Sequence, residues 1–307
     1  MTKVFIDGSA GTTGLRIADR LADRQDIQIV TLPDDLRKDL NARRDAICGA
    51  EIAFLCLPDD AAREAVALAG DADVKIIDTS TAHRTADDWA YGFPELTGCR
   101  EKVRTSKRIS NPGCHASGFV ALARPLVENG ILSSDAELTC FSLTGYSGGG
   151  KKMIAEYESN DRSALLNAPR QYALTQQHKH LKEMAKLSMM HKLPVFCPIV
   201  ADFYSGMEVT IPLFSSQIRA SIEEIRQLYA DYYATGLVRC SHDADPDGLL
   251  SAAAFSGRDD MQVGVFGNDE RIVLSARFDN LGKGASGAAI QNMNILMGLP
   301  EETGLNV

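Results

Sequence analysis

The first 110 residues alternate short, continuous apolar runs with stretches of helical spacing. Lys3-Val4-Phe5-Ile6-Asp7 reads as a strand. A Gly-rich turn follows, then a helix over about 13–24 with Leu15, Ala18, Leu21 and Ala22 on one side. Residues 27–32 and 51–57 predict two further strands, the second ended by Pro58. Residues 60–69 predict a helix and 75–78 a fourth strand. Strands that are apolar throughout, separated by helices, signal a parallel sheet covered on both faces. The second half reads differently. Strands are predicted at 137–143, 195–200, 207–214, 261–266 and 271–278. Several alternate apolar with polar residues, and Gly267-Asn268-Asp269 makes a short turn between two of them. That pattern predicts an antiparallel or mixed sheet with one face on helices, which are expected at 175–188, 221–234 and 285–298.

Composition narrows the class. A chain of 307 residues suits two domains of roughly 150 residues each. An apolar fraction of 45% with 24% charged residues is that of an ordinary soluble protein. No run reaches the roughly 18 apolar residues of a membrane helix. The opening residues reach Asp7 and Gly8 too soon for a signal peptide, so a cytoplasmic protein is expected. A formal net charge of −9 disfavours nucleic acid as a partner. Seven Cys, with no Cys-x-x-Cys pair, argue against a disulfide framework. Cys48, Cys56, Cys140 and Cys197 lie in apolar runs and are expected to be buried thiols.

Two segments carry candidate chemistry. Asp7-Gly8-Ser9-Ala10-Gly11-Thr12-Thr13-Gly14 links the first strand to the first helix. Gly8, Gly11 and Gly14 allow tight backbone geometry and close approach of a pyrophosphate. The helix start supplies free N–H groups, and Thr12 and Thr13 add hydroxyls. A plain strand–helix turn is the alternative, and the position after the very first strand favours a dinucleotide. An NAD site usually has an acid at the end of the second strand. Here Thr31-Leu32 ends it, Asp34 comes after Pro33, and Arg37 and Lys38 lie close behind, which leans toward NADP. The second segment is Ser110-Asn111-Pro112-Gly113-Cys114-His115, just before a long apolar helix. A thiol at a helix start is favoured as thiolate, the reactive form. A small buried cysteine at an ordinary helix start is the alternative. Candidate bases are His115, His178 and His180. If 175–188 is helical, His180 and Glu183 share a face, which suits a carboxylate orienting an imidazole, while His178 points away.

The chain resembles the shorter form of N-acetyl-γ-glutamyl-phosphate reductase, within the aspartate-semialdehyde dehydrogenase superfamily. The resemblance runs nearly end to end. It rests on the glycine turn, Leu57-Pro58-Asp59-Asp60-Ala61-Ala62-Arg63, Thr81-Ala82-His83-Arg84 and Tyr91-Gly92-Phe93-Pro94-Glu95. It continues through Asn111-Pro112-Gly113-Cys114, Gly145-Tyr146-Ser147-Gly148-Gly149-Gly150-Lys151-Lys152 and His178-Lys179-His180. It ends in Asp279-Asn280-Leu281-Gly282-Lys283-Gly284-Ala285-Ser286-Gly287. The family commonly has Tyr-Pro-Thr-Gly after the cysteine, where this chain has His115-Ala116-Ser117-Gly118.

The resemblance implies an α/β fold. Residues 1–112 would form a Rossmann-type dinucleotide-binding domain, completed by a C-terminal helix within 284–307. Residues 113–283 would form an α+β catalytic and oligomerisation domain. It implies Cys114 as nucleophile and an assisting histidine from the His178/His180 pair. Arg84 and Asn111 would lie near the substrate phosphate, and Gly282 and Gly284 beside the nicotinamide. The implied cofactor is NADPH, the substrate an acyl phosphate, and the assembly a dimer or tetramer, with no metal. Two other readings stand beside it: a related reductase acting on aspartyl phosphate, and a dinucleotide-binding sensor without thiol chemistry.

Overall fold

A computed structural model describes residues 1–307. In chain order, β1 (Thr2–Asp7), α1 (Thr12–Leu21), β2 (Ile27–Val30), α2 (Leu40–Cys48), β3 (Ile52–Leu55), α3 (Asp59–Ala69), β4 (Lys75–Asp78), β5 (Ala90–Tyr91), α4 (Cys99–Thr105) and β6 (Arg108–Ser110) come first. They are followed by α5 (Cys114–Glu128), β7 (Thr139–Gly145), α6 (Gly150–Glu158), β8 (Arg170–Gln171), α7 (His180–Leu187) and β9 (Val195–Ala201). The chain ends with β10 (Met207–Phe214), α8 (Ile222–Tyr232), β11 (Val238–Cys240), β12 (Met261–Gly267), β13 (Arg271–Phe278) and α9 (Gly287–Met297). Two compact units result. One is Met1–Pro112 with Ala285–Leu305, the other Gly113–Gly284 with the last two residues.

The first unit holds a six-stranded sheet in the order β2-β1-β3-β4-β6-β5, parallel at every pairing. Its strands are apolar on both faces because both are covered. Val4, Ile6, Ile52 and Phe54 point to one side and pack with Ile17 and Leu21 of α1 and Ile290 and Met293 of α9. Phe5, Ala53 and Leu55 point to the other and pack with Ile47 of α2 and Ala62, Ala65 and Ala69 of α3. Truncating a side chain as enclosed as Phe54, 0% exposed, to Ala costs about 3–5 kcal/mol. Two helices escape the sequence pattern. α2 buries only Arg43 and Ile47, and α4 only Cys99 and Val103, so neither shows a wide apolar stripe. Arg43 compensates a buried acid. Its guanidinium lies 3.0 Å from Asp7 Oδ2 and 2.6 Å from Glu64 Oε2.

The second unit holds a seven-stranded mixed sheet, β11-β12-β13-β10-β7-β9-β8. The β7–β9 and β11–β12 pairs are parallel and the others antiparallel. On β10, Met207, Val209, Ile211 and Leu213 are buried while Glu208, Pro212 and Phe214 alternate outward, the signature of a sheet with one covered face. The buried helix α5 lies at the centre of this unit, and the hydroxyl of Tyr233 on the α8 side donates to its Ala121 carbonyl at 2.7 Å.

The histidine helix begins later than its spacing predicts, at His180 rather than 175. Ala173 and Gln176 take positive φ, 52° and 57°, which breaks a helix. The Gln176 side chain pairs with the Phe196 backbone of β9 through both its oxygen and its nitrogen, at 2.8 and 2.7 Å. Those bonds hold residues before 178 against the sheet edge instead of in α7. Cysteine burial also departs from expectation. Cys140 is buried, but Cys48 is exposed, and Cys56 and Cys197 are half-buried. Cys48 falls on the outer side of α2, whose inward positions are Arg43 and Ile47. No helix is long and apolar enough to cross a membrane.

Candidate active site

In the first unit, the glycine turn is shaped for a close ligand. Gly8 has φ +87°, and a Cβ there would sit 2.3 Å from the Cys56 carbonyl oxygen. A Cβ on Gly14 would sit 2.4 Å from the Gly8 oxygen. Only glycine satisfies either position. Helix α1 starts at Thr12 with Gly11 as its cap and no side chain closing its first turn, so its N–H groups and dipole face outward. An open cleft beside the turn is lined by Gly8, Ser9, Ala10, Leu32, Arg37 and Lys38. Its one carboxylate, Asp7, is held by Arg43. Asp34 is turned to solvent and ion-paired with Arg37 at 2.7 Å. These residues fit a dinucleotide, and two cations at the cleft fit one with an added phosphate.

Arg84 is also in this unit, buried, with Nη2 donating to the Thr79 carbonyl at 2.8 Å. Neighbouring His83 stacks on Trp89 at 4.1 Å, and its Nδ1 lies 2.6 Å from Asp78 Oδ2. Asn111 has its amide occupied at both ends. Nδ2 donates to the Ala285 carbonyl at 2.9 Å, and Oδ1 accepts from Asn292 at 3.3 Å. It therefore ties the start of α9 to β6, a task that its place in the cysteine motif does not reveal.

In the second unit, Cys114 is the first residue of the 15-residue helix α5, capped by Gly113 with no side-chain cap. The thiol is half-buried. An oriented helix start stabilises negative charge there. Two features fix this turn. The Gly113 N–H donates to Glu183 Oε1 at 2.8 Å, which pins the cysteine turn to α7. A Cβ on Gly284 would lie 3.0 Å from the Cys114 Cβ, and one on Gly282 would lie 1.9 Å from the Arg258 carbonyl oxygen. The Gly282–Gly284 segment is thus shaped by packing against Cys114 and by the 258 loop. Asp279 braces it, accepting from the Leu281 and Gly282 N–H groups at 2.7 and 3.1 Å.

Three imidazoles gather at His115, the residue after Cys114. His115, His178 and His180 have ring centroids 4.7–5.7 Å apart. His178 precedes α7, so the helical-wheel premise that turned it away from His180 does not hold. Instead, the His180 backbone N–H donates to His178 Nδ1 at 3.2 Å. His180 and Glu183 are both buried, at 5% and 2% exposure, one turn apart on α7. His178 is half-buried, and burial followed by Lys179 lowers its pKa. His115 is not an available base. Both of its ring nitrogens are engaged, and burial, with His178 adding, drives its pKa to about 3. Tyr172, which bonds His115, is the component that sequence reasoning missed. It lies in an irregular stretch whose placement depends on β9, through the Tyr172 N–H to the Pro198 carbonyl at 3.0 Å.

Comparison with known proteins agrees with this division of labour. Residues 34–106 match the semialdehyde dehydrogenase NAD binding domain, and residues 114–280 the semialdehyde dehydrogenase dimerisation domain. The chain is 48% identical to N-acetyl-γ-glutamyl-phosphate reductase 2 of Nostoc sp., over 99% of both chains. It is 43% identical to N-acetyl-γ-glutamyl-phosphate reductase of Sinorhizobium medicae, over 96% of this chain and 98% of that one. Among solved structures, aspartate semialdehyde dehydrogenase II of Vibrio cholerae superposes with a TM-score of 0.72 at 18% identity, over 97% and 98% of the two chains. Aspartate semialdehyde dehydrogenase of Candida albicans, solved with NADP, gives 0.67 at 15% identity, over 97% and 99%. At those identities the structural likeness speaks for the fold. The near-complete match to the reductases speaks for more, and this chain belongs to the N-acetyl-γ-glutamyl-phosphate reductase family.

Proposed function

We infer that the protein reduces N-acetyl-γ-glutamyl phosphate to N-acetylglutamate 5-semialdehyde with NADPH, through a thioester on Cys114, as a step of arginine biosynthesis. The observation that carries this reading is Cys114 at the open start of α5, braced by Glu183 and Gly284, in a chain of this family. The Cys114 thiolate attacks the acyl carbon, the bond from that carbon to the phosphate oxygen breaks, and inorganic phosphate leaves. Arg84 holds the departing dianion, a role for which a planar, permanently charged guanidinium is suited. The free N–H groups at the start of α5 stabilise the oxyanion that forms during attack. When bound, NADPH supplies the hydride that reduces the thioester carbon. His180, oriented by Glu183, gives a proton to the resulting oxyanion. It then takes the proton back as the C–S bond breaks, which frees the aldehyde and restores the thiolate. His178 serves to contact the substrate or to hold the structure around it.

The cofactor preference rests on Arg37 and Lys38 at the cleft and on Asp34 being turned away. The match to a dimerisation domain supports a homo-oligomer, and we read it as a dimer or tetramer. The test is phosphate-dependent NADP reduction with N-acetylglutamate semialdehyde against aspartate semialdehyde. The reading requires the first to be turned over at least about 100-fold better in kcat/KM, about 2.7 kcal/mol of discrimination. Equal rates, or a preference for aspartate semialdehyde, would assign the enzyme to another acyl phosphate. Cofactor binding with no turnover of either would leave the sensor reading.

A further inference from the structure

Helix α2 buries only two side chains, and one of them is an arginine. Arg43 is 5% exposed. Its Nε and Nη2 both donate to Asp7 Oδ2, at 3.1 and 3.0 Å, and its Nη1 donates to Glu64 Oε2 at 2.6 Å. Asp7 ends β1 directly before Gly8, is itself buried, and lines the same cleft as Gly8, Ser9 and Ala10. A buried ion pair stabilises a fold poorly, because desolvating both ions offsets most of their attraction. Stability alone therefore does not account for an arginine brought to this place by a helix that buries so little else.

The cleft supplies a reason. Its glycine turn is shaped for a pyrophosphate, and a carboxylate in the wall beside that turn opposes a phosphate's charge. The groups facing Asp7 are Arg43 from α2, Glu64 from α3 and Cys56 just after β3, with Arg37 and Lys38 lining the same cleft. Burial pushes the Cys56 thiol up to about 12, so it brings no charge at neutral pH. Arg43 makes the only hydrogen-bonded ion pair with Asp7. Burial raises the Asp7 pKa, and Arg43 acts against that rise.

We propose that Arg43 is a positioning residue for the cofactor: by neutralising Asp7 at the end of β1, it lets the glycine turn receive the pyrophosphate. This rests on the dinucleotide occupying the cleft and not on the chemistry at Cys114, so binding is measured without acyl phosphate, by the nicotinamide fluorescence of NADPH and NADH. Arg43→Met should weaken both about 10-fold or more, because both carry the pyrophosphate. The paired Arg37→Ala and Lys38→Ala change should instead separate the two cofactors, and so reports independently whether the cofactor lies in this cleft. The loss in Arg43→Met should shrink as pH falls from about 8 toward about 5, as the buried Asp7 takes up a proton. NADH serves for that profile, since it lacks the added phosphate and its second pKa of about 6. Asp7→Asn should bind at least as tightly as wild type, and Asp7→Asn with Arg43→Met should return to within about 3-fold of it. A turn that had merely loosened would bind weakly at every pH and would not be relieved by Asp7→Asn. If Arg43→Met fails to fold, Asp7→Asn decides, because it removes the same negative charge. Unchanged binding in Arg43→Met, a loss independent of pH, a double variant as weak as the single one, or weaker binding by Asp7→Asn would overturn the proposal.

Discussion

Replacing Gly284 with Ala tests how tightly Cys114 is held. The added Cβ would meet the Cys114 Cβ at 3.0 Å, the Asp279 carbonyl oxygen at 3.1 Å and a Phe278 ring carbon at 3.3 Å. Carbon atoms prefer about 3.5–4.0 Å, so Cys114 or residue 284 must yield by a few tenths of an ångström. Residue 284 has little freedom, because its N–H donates to the Asp279 carbonyl at 3.0 Å and Asp279 is itself held by Ser205 at 2.9 Å. Cys114 therefore takes most of the displacement. A misplacement of about 1 Å at a reacting centre costs about 100-fold, so a shift of a few tenths of an ångström should lower kcat/KM by about 3- to 10-fold. The overpacking itself should cost only about 1–3 kcal/mol of stability. A steady-state assay beside a thermal melt separates the two effects, and NADPH binding should be nearly unchanged. A Gly284→Ala enzyme within about 2-fold of wild type in kcat/KM, with an unchanged melt, would refute the argument that this glycine sets the position of Cys114.

Cys114→Ser should abolish turnover and keep NADPH binding; a residual rate above about a tenth, roughly 1.4 kcal/mol of barrier, would remove Cys114 as nucleophile. Arg37→Ala with Lys38→Ala should raise KM for NADPH about 10-fold or more while changing that for NADH much less, because both cations line the cleft where an added phosphate would sit; parallel losses with both cofactors would reject that placement. His180→Asn should lower kcat about 100-fold and His178→Asn should act mainly on KM, with Glu183→Gln intermediate. The reverse pattern would exchange the two histidines' roles. Because burial holds the His115 pKa at about 3 against 6.5 unfolded, the unfolded chain binds the extra proton between those values. Stability should then fall as pH drops from about 7 toward 4, by up to about 1.4 kcal/mol per unit from this group. Urea midpoints at several pH values should show a shallower fall for His115→Gln, and identical slopes would show that His115 is not the source.

Local chemistry alone was enough for the elements with strong patterns. β1, β4, β10 and β13 follow from runs and alternation that only a strand satisfies, and the parallel and mixed sheets follow from them. Gly8, Gly14 and Cys114 were legible for the same reason, because a strand-to-helix turn with those residue types states its own backbone needs. Tertiary structure decided the rest. α2 and α4 were hidden because they bury two residues each. Helix α7 lost its first turn because Gln176 pairs with a β9 backbone about 20 residues away, a bond that no local pattern encodes. The grouping of His115, His178, His180 and Tyr172 has the same origin, since α5, β7, β9 and α7 converge on it from distant segments. That Gly284 packs against Cys114, 170 positions earlier in the chain, was equally beyond any local pattern. Periodicity and turn chemistry act over a few residues, so the sequence carries them openly. Which side chains share a buried volume depends on how complete elements pack, and that is settled only when the core closes.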